Sequence, residues 1–212
     1  MKSYVQMIVV LTLITLISGL ALGGLHQMTY ERAQNNILKY KKIPAVADIY
    51  EVVSGELEPP DRLIVEEGLL TEKRFLDIGD DEPVLMFVIR KDGEPYAAAL
   101  EDYGQGFGGD LGVMVGFELD TGSLVGIGIT TMAETPGIGT KVKDDSFTAQ
   151  FRGLGPDSVI KVKKDGGQVD AITGATISSR AVAQAIERAR SFYDAHRARV
   201  AEAAHQPPEV VE

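Results

Sequence analysis

Apolar residues change their spacing several times along this chain, and each change predicts a different element. From Val5 to Leu25 they run almost without interruption, and no residue from Ser3 to Tyr30 carries a full charge. A helix crossing the hydrocarbon core of a membrane needs about 20 such residues at ~1.5 Å each, so this stretch is long enough to span. Gln6, Thr12, Thr15 and Ser18 are compatible with that, because helical hydroxyls bond back to the backbone. Tyr30 to Ile43 reads as a helical stalk. Asp48 to Glu82 is acidic and irregular, with Pro59-Pro60 as a break.

Strand spacing follows. "PVLMFVIRKDGEPYAAALE" sets two apolar runs around Asp92-Gly93, a short-loop hairpin signature. Val113, Val115, Phe117 and Leu119 alternate before Asp120-Thr121-Gly122, and Leu124 to Ile129 supplies the second arm. "SVIKVKKDGGQVDAI" predicts a third pair around Asp165-Gly166-Gly167. Asp145 to Arg152 reads as a short helix. Ser178 to Ala204 reads as a long one, with Val182, Ala185, Ile186, Ala189, Tyr193 and Val200 spaced for one buried face. Hairpins with segregated helices predict an α+β class: one N-terminal transmembrane helix, then a domain with a mostly antiparallel sheet flanked by helices. The expected division is an anchor over 1–28, a helical stalk and acidic irregular segment over 29–82, a folded domain over 83–204 and a loose tail over 205–212.

Composition narrows the partners. The 212 residues are 44% hydrophobic and 25% charged, which suits a globular domain with a core. A net charge of -10 argues against nucleic acid, whose phosphates need clustered Lys and Arg. The absence of cysteine removes disulfides, iron–sulfur ligation, thiolate zinc sites and an acylated Cys together. His26, His196 and His205 are far apart and form no ligand-like pair, so no metal site is expected. Ala21-Leu22-Gly23 offers a loose signal-peptide cleavage site, but the apolar run exceeds the usual ~7–15-residue core of such peptides, and an uncleaved anchor is expected. Lys2 stands on one side of it, and Arg32, Lys39, Lys41 and Lys42 on the other. A positive-inside count would keep the domain in the cytoplasm, although long domains translocate largely regardless of flanking charge.

Two glycine-rich stretches carry candidate chemistry. Gly104-Gln105-Gly106-Phe107-Gly108-Gly109 satisfies the dinucleotide pattern G-x-G-x-x-G, but that pattern binds phosphate only at a strand-to-helix turn. Here Leu111 to Leu119 alternates like a strand, so the glycines are expected to give a turn or let backbone approach a ligand. The other stretch is Asp170-Ala171-Ile172-Thr173-Gly174-Ala175-Thr176, where a strand hands over to the last helix. Its hydroxyls suit a helix cap; equally, a helix start with free N–H groups is an anion site.

The pattern D-x-x-[S/T]-G-A-[S/T], met by Asp170, Thr173, Gly174, Ala175 and Thr176, resembles the flavinylation signature of membrane-anchored FMN-binding domains. Glu134-Thr135-Pro136-Gly137-Ile138-Gly139 resembles that family's E-T-P-G-[L/I]-G loop beside the flavin. The resemblance covers about Lys2 to Val200. It points in particular to the G subunit of Rnf electron-transport complexes, with the C subunit of the Na⁺-translocating NADH:quinone reductase as the alternative. It implies that 83–204 is an FMN-binding domain, with FMN joined through its phosphate to the Thr176 hydroxyl by a separate flavin transferase acting on FAD. It also implies a periplasmic domain on a single inner-membrane span. The partners would be the other membrane subunits of a complex passing electrons between ferredoxin and NAD⁺ with Na⁺ or H⁺ transport. Within it, Ser178 and Ser179 either donate to the phosphate or serve as N-cap and first helical residue. Glu134 bonds the flavin or is a loop acid, Thr135 belongs to the same loop, and Pro136 and Gly137 rigidify it. Asp170 serves transferase recognition or turn geometry, and Lys141 is a weaker candidate. A cofactor-free membrane-anchored sensory or scaffold module is the reading outside redox chemistry.

Overall fold

The apolar run of the first hairpin is continuous rather than alternating because the strand it forms is covered on both faces. In the computed structural model, which describes residues 2–58, 60–79 and 83–207 and, at Glu31, the backbone alone, five strands make one antiparallel meander in the order β1-β2-β3-β4-β5. They are β1 (Lys73–Leu76), β2 (Val84–Lys91), β3 (Glu94–Gln105), β4 (Asp110–Glu118) and β5 (Leu124–Thr131). Asp92 and Gly93 both take positive φ, 53° and 85°. That is the signature of the tight turn whose twist matches a hairpin. Pro59, Glu82 and residues 208–212, on which part of the expected break, acidic segment and tail falls, lie outside the described residues.

The chain divides after Tyr40 into two units. The first contains α1 (Lys2–Ile37), whose apolar residues are exposed and whose 18-residue stretch of mean hydropathy 2.4 is long and apolar enough to cross a membrane. Thr12, Thr15 and Thr29 return their hydroxyls to carbonyls three or four residues back, which hides their polarity. A π-helical stretch, Leu38–Lys42, follows.

In the second unit helices cover both sheet faces. Much of the stretch expected to be irregular is ordered as α2 (Ile43–Ser54), α3 (Asp61–Leu69) and β1. Pro44 sits in the first turn of α2, where its missing N–H costs nothing. Ile43, Val46, Ala47 and Ile49 are buried there. Glycines on the facing strands let the helix come close: a Cβ on Gly128 would lie 2.2 Å from the Ala45 carbonyl oxygen, and one on Gly116 2.6 Å from Ile49 Cγ2. Across α3, Arg62 bridges to Asp48 of α2 at 2.6 Å. On the other face lies α5 (Thr176–Ala204), with all six residues expected on its apolar stripe buried. Tyr193 stacks on Phe117 of β4 at 4.6 Å between ring centroids, and its hydroxyl donates to the Glu118 carbonyl at 3.2 Å.

Two sequence expectations are corrected. The third hairpin does not form: between Val162 and Val169, which make an isolated bridge, the chain makes a 3-10 turn at Lys163–Asp165 and a left-handed Gly166, φ 83°. Two successive glycines and a run of lysines leave too little apolar alternation for a strand pair. The short helix of 145–152 is split into α4 (Asp145–Thr148) and a 3-10 turn at Ala149–Phe151.

Candidate functional site

The glycine pattern discarded as a dinucleotide loop is the β3–β4 turn, and it brings backbone against the start of α5. A Cβ on Gly104 would fall 1.8 Å from the Ala181 carbonyl oxygen of α5, and one on Gly108 1.7 Å from that of Ala133. Only glycine permits both approaches. The turn, the segment after β5 and the first turn of α5 thereby enclose a cavity of about 380 Å³. That lies within the ~300–1,000 Å³ of ordinary small-molecule sites.

Thr176 is the first residue of α5, half-buried on the cavity wall, and among the described residues its hydroxyl has no protein partner. Ala175 stands at the N-cap with no side-chain acceptor to offer. The opening N–H groups of the helix therefore have no side-chain cap, and the positive end of the helix dipole meets the cavity there. Gly174 makes the entering turn with φ 83° and also lines the cavity. This places Ser178 and Ser179 one turn further in than a cap. Ser178 donates to Glu134 Oε2 at 2.7 Å. Ser179 does not line the cavity; its Oγ accepts the Ile172 N–H at 3.0 Å and donates to the Ala175 carbonyl at 2.9 Å, holding the turn.

Glu134, 8% exposed, ties three segments. Besides the Ser178 hydroxyl it accepts the Phe107 N–H at Oε1, 2.8 Å. Gly106 and Gly139 pack on it so closely that a Cβ would come within 2.1 and 2.6 Å of its carboxylate oxygens. Thr135 lines the cavity, and its carbonyl accepts the N–H groups of Ile138, Gly139 and Thr140 at 3.0–3.3 Å. Pro136 and Gly137 (φ 72°) form the exposed corner of that loop, off the cavity wall, and the Gly137 N–H bonds Thr140 Oγ1 at 2.9 Å. Lys141 is exposed and apart from the wall.

Asp170 and Thr173 lie outside the cavity lining. Asp170 is exposed and bridges to Lys163 at 2.7 Å, while its N–H donates to Gln150 Oε1 at 2.7 Å. Thr173 is exposed in the turn before Gly174. The wall also includes Ile138, 46% exposed, and Gly139 of the 134–139 loop, and two residues given no role from the sequence: Phe107, 71% exposed, and Ile177, 46% exposed. The available signal was an aromatic flanked by glycines in a turn, and an isoleucine off the buried stripe of α5. Together they give an apolar rim beside a polar floor, the chemistry of a site for a small molecule with an apolar body and an anionic group. A smaller, charged cavity of about 200 Å³, between α2 and the α4 region, is lined by Asp48, Glu51, Lys143, Asp145 and Arg152. Asp145 and Arg152 pair with each other there, and it shares no residue with the site.

The model of the FMN-binding domain family matches residues 106–191, a span holding Phe107, Glu134 and Thr176. Over 202 residues the chain is 28% identical to the G subunit of the ion-translocating oxidoreductase complex of Shewanella loihica, covering 92% of each protein. With the G subunit of the complex of the same name from Vibrio vulnificus it shares 31% over 147 residues, 66% of this chain and 68% of that one. In fold it is similar to the crystal structure of the C subunit of Na⁺-translocating NADH-quinone reductase from Parabacteroides distasonis, with a TM-score of 0.59 at 22% identity, covering 80% of this chain and 96% of that one.

Proposed function

The chain belongs to the family of G subunits of ion-translocating oxidoreductase complexes, and from that premise we propose that it is the FMN-bearing electron relay of such a complex, with the flavin esterified through its phosphate to Thr176. The observation carrying this is the unbonded Thr176 hydroxyl at an uncapped helix start, on the wall of a cavity with an apolar rim. A flavin supplies one- and two-electron chemistry; the protein supplies position and electrostatics.

Each cavity residue then has a task. The opening N–H groups of α5 face the phosphate, whose remaining negative charge they stabilise by ~0.3–1 kcal/mol. Thr176 Oγ1 would be the hydroxyl to which a flavin transferase joins the flavin phosphate of FAD, with adenylate as the leaving group and the hydroxyl proton passing to solvent. Glu134 holds Phe107 and the first turn of α5 in register, and Phe107, Ile138 and Ile177 would supply the apolar surface for the ring. Asp170, exposed and away from the wall, is left available to the transferase.

The apolar helix α1 anchors the protein in the membrane. We place the soluble unit on the periplasmic face, because a tether keeps a cofactor at high effective concentration where a dissociated one would be lost. Its partners are the other membrane subunits, and the electrons run between ferredoxin and NAD⁺ with Na⁺ or H⁺ transport. The test is the protein made alongside the transferase: its band on a denaturing gel fluoresces as flavin, and peptide mapping finds the added mass of FMN, less one water, on Thr176. A native chain with Thr176 unmodified in every molecule overturns the proposal.

A further inference from the structure

Glu134 is the one titratable side chain among the described residues lining the flavin cavity, and both of its oxygens act as acceptors from neutral donors, the Phe107 N–H and the Ser178 hydroxyl. Among the described residues no Lys or Arg forms an ion pair with it. Gly106 and Gly139 pack against its oxygens, and the residue is only 8% exposed. Its partner Ser178 is in the first turn of α5, two residues beyond Thr176. The helix end that would receive a phosphate therefore stands beside the Glu134 carboxylate, to which one of its hydroxyls already donates. A second anion entering there is stabilised by the N–H groups and repelled by Glu134, and that repulsion grows with each unit of phosphate charge.

A phosphomonoester carries about -1.5 to -2 charges at neutral pH, whereas a diester carries one. We infer that Glu134 makes this site selective by phosphate charge: it admits the singly charged flavin phosphodiester and disfavours the doubly charged phosphate of free FMN. This rests on the flavin reading above and deepens it. Covalent attachment removes one negative charge from the phosphate as well as supplying a tether, so the bonded cofactor fits where the free one is disfavoured.

The test uses the full-length chain in detergent, produced without the transferase so that Thr176 is free. It is titrated at pH 8 with riboflavin, FMN and the monomethyl phosphodiester of FMN, followed by quenching of flavin fluorescence. The methyl diester is expected to bind about tenfold more tightly than FMN, the factor appropriate to one added like charge at high effective dielectric. Glu134→Gln keeps an acceptor for Phe107 and is expected to raise the affinity for FMN about a hundredfold and for the diester about tenfold, one factor of about ten per phosphate charge, bringing the two phosphates within about twofold of each other and leaving riboflavin unchanged. Ser178→Ala keeps the charge and is expected to keep the discrimination. Equal binding of FMN and its diester by the native chain overturns the inference, as does an unchanged ratio in Glu134→Gln, or its loss in Ser178→Ala. Should no free flavin bind either the native chain or Glu134→Gln while Thr176 is flavinylated in the co-expressed protein, the charge filter falls and the flavin reading stands. Should Thr176 be unmodified as well, both fall.

Discussion

Thr173 and Thr176 flank the same Gly-Ala pair and differ in which side of the helix start they occupy. Thr173 lies in the exposed turn, and Thr176 on the cavity wall. Thr176→Ala is therefore expected to abolish flavin fluorescence on a denaturing gel, while Thr173→Ala keeps a modified Thr176 detectable by peptide mass. Glycines separate in the same way by what surrounds them. A methyl on Gly108 would meet the Ala133 carbonyl, whereas one on Gly155 meets nothing within 4 Å. Gly108→Ala is expected to cost about 1–3 kcal/mol and to reduce flavin loading, and Gly155→Ala to stay within about 0.5 kcal/mol of the native chain. Denaturant unfolding of the two variants side by side measures the difference.

Between elements the decisive contacts are backbone to backbone. Gly128→Ala would push α2 away from the sheet at Ala45, and the expected loss of about 1–3 kcal/mol comes without direct change to the flavin cavity, so loading should survive at temperatures where the variant is folded. The turn that replaces the third hairpin is held to α5 by Asp165, which accepts Arg180 Nε and Nη2 at 2.7 and 2.8 Å. The hydrogen bonds from Arg180 hold the Asp165 carboxyl below its usual range. A depressed acid stabilises the fold above its ordinary pKa and loses that contribution as the pH falls through the lowered value. The exposed pair is worth little in any case. A small melting-temperature gap between the native chain and Asp165→Asn is expected at neutral pH, closing in strong acid. A gap that widens on acidification contradicts the assignment.

As a molecule the protein is a helix long and apolar enough to cross a membrane, joined in sequence to a folded unit that begins at Lys41. The native chain is expected to sediment with membranes, and a chain beginning after Tyr40 to remain soluble and folded by circular dichroism. Because the sequence has no cysteine, a single Asp157→Cys at an exposed position reports orientation without background. A membrane-impermeant maleimide is expected to label it in intact spheroplasts. Labelling only after lysis would place the unit on the cytoplasmic side, as the count of flanking charges favours.

Although the last helix was expected from Ser178 and begins at Thr176, much of what depends on neighbours along the chain was readable from the residues alone: the apolar anchor, the Asp92-Gly93 turn and the buried stripe of α5. Each follows from local periodicity or local dihedral preference, which a single strand or helix carries with it. The residues of α2 also had their apolar positions, but a dozen residues inside an acidic stretch gave a weaker signal than the sheet face waiting to be covered. Only the tertiary structure decided that Gly106, Gly108 and Gly128 are points of close approach, since a missing Cβ has meaning only relative to the atom it would strike. It likewise decided that Glu134, Phe107, Ile138 and Ile177 share one wall with Thr176. Those residues come from three segments far apart in sequence, the β3–β4 turn, the loop after β5 and the start of α5, and packing across the end of the sheet, rather than any periodicity, brings them together.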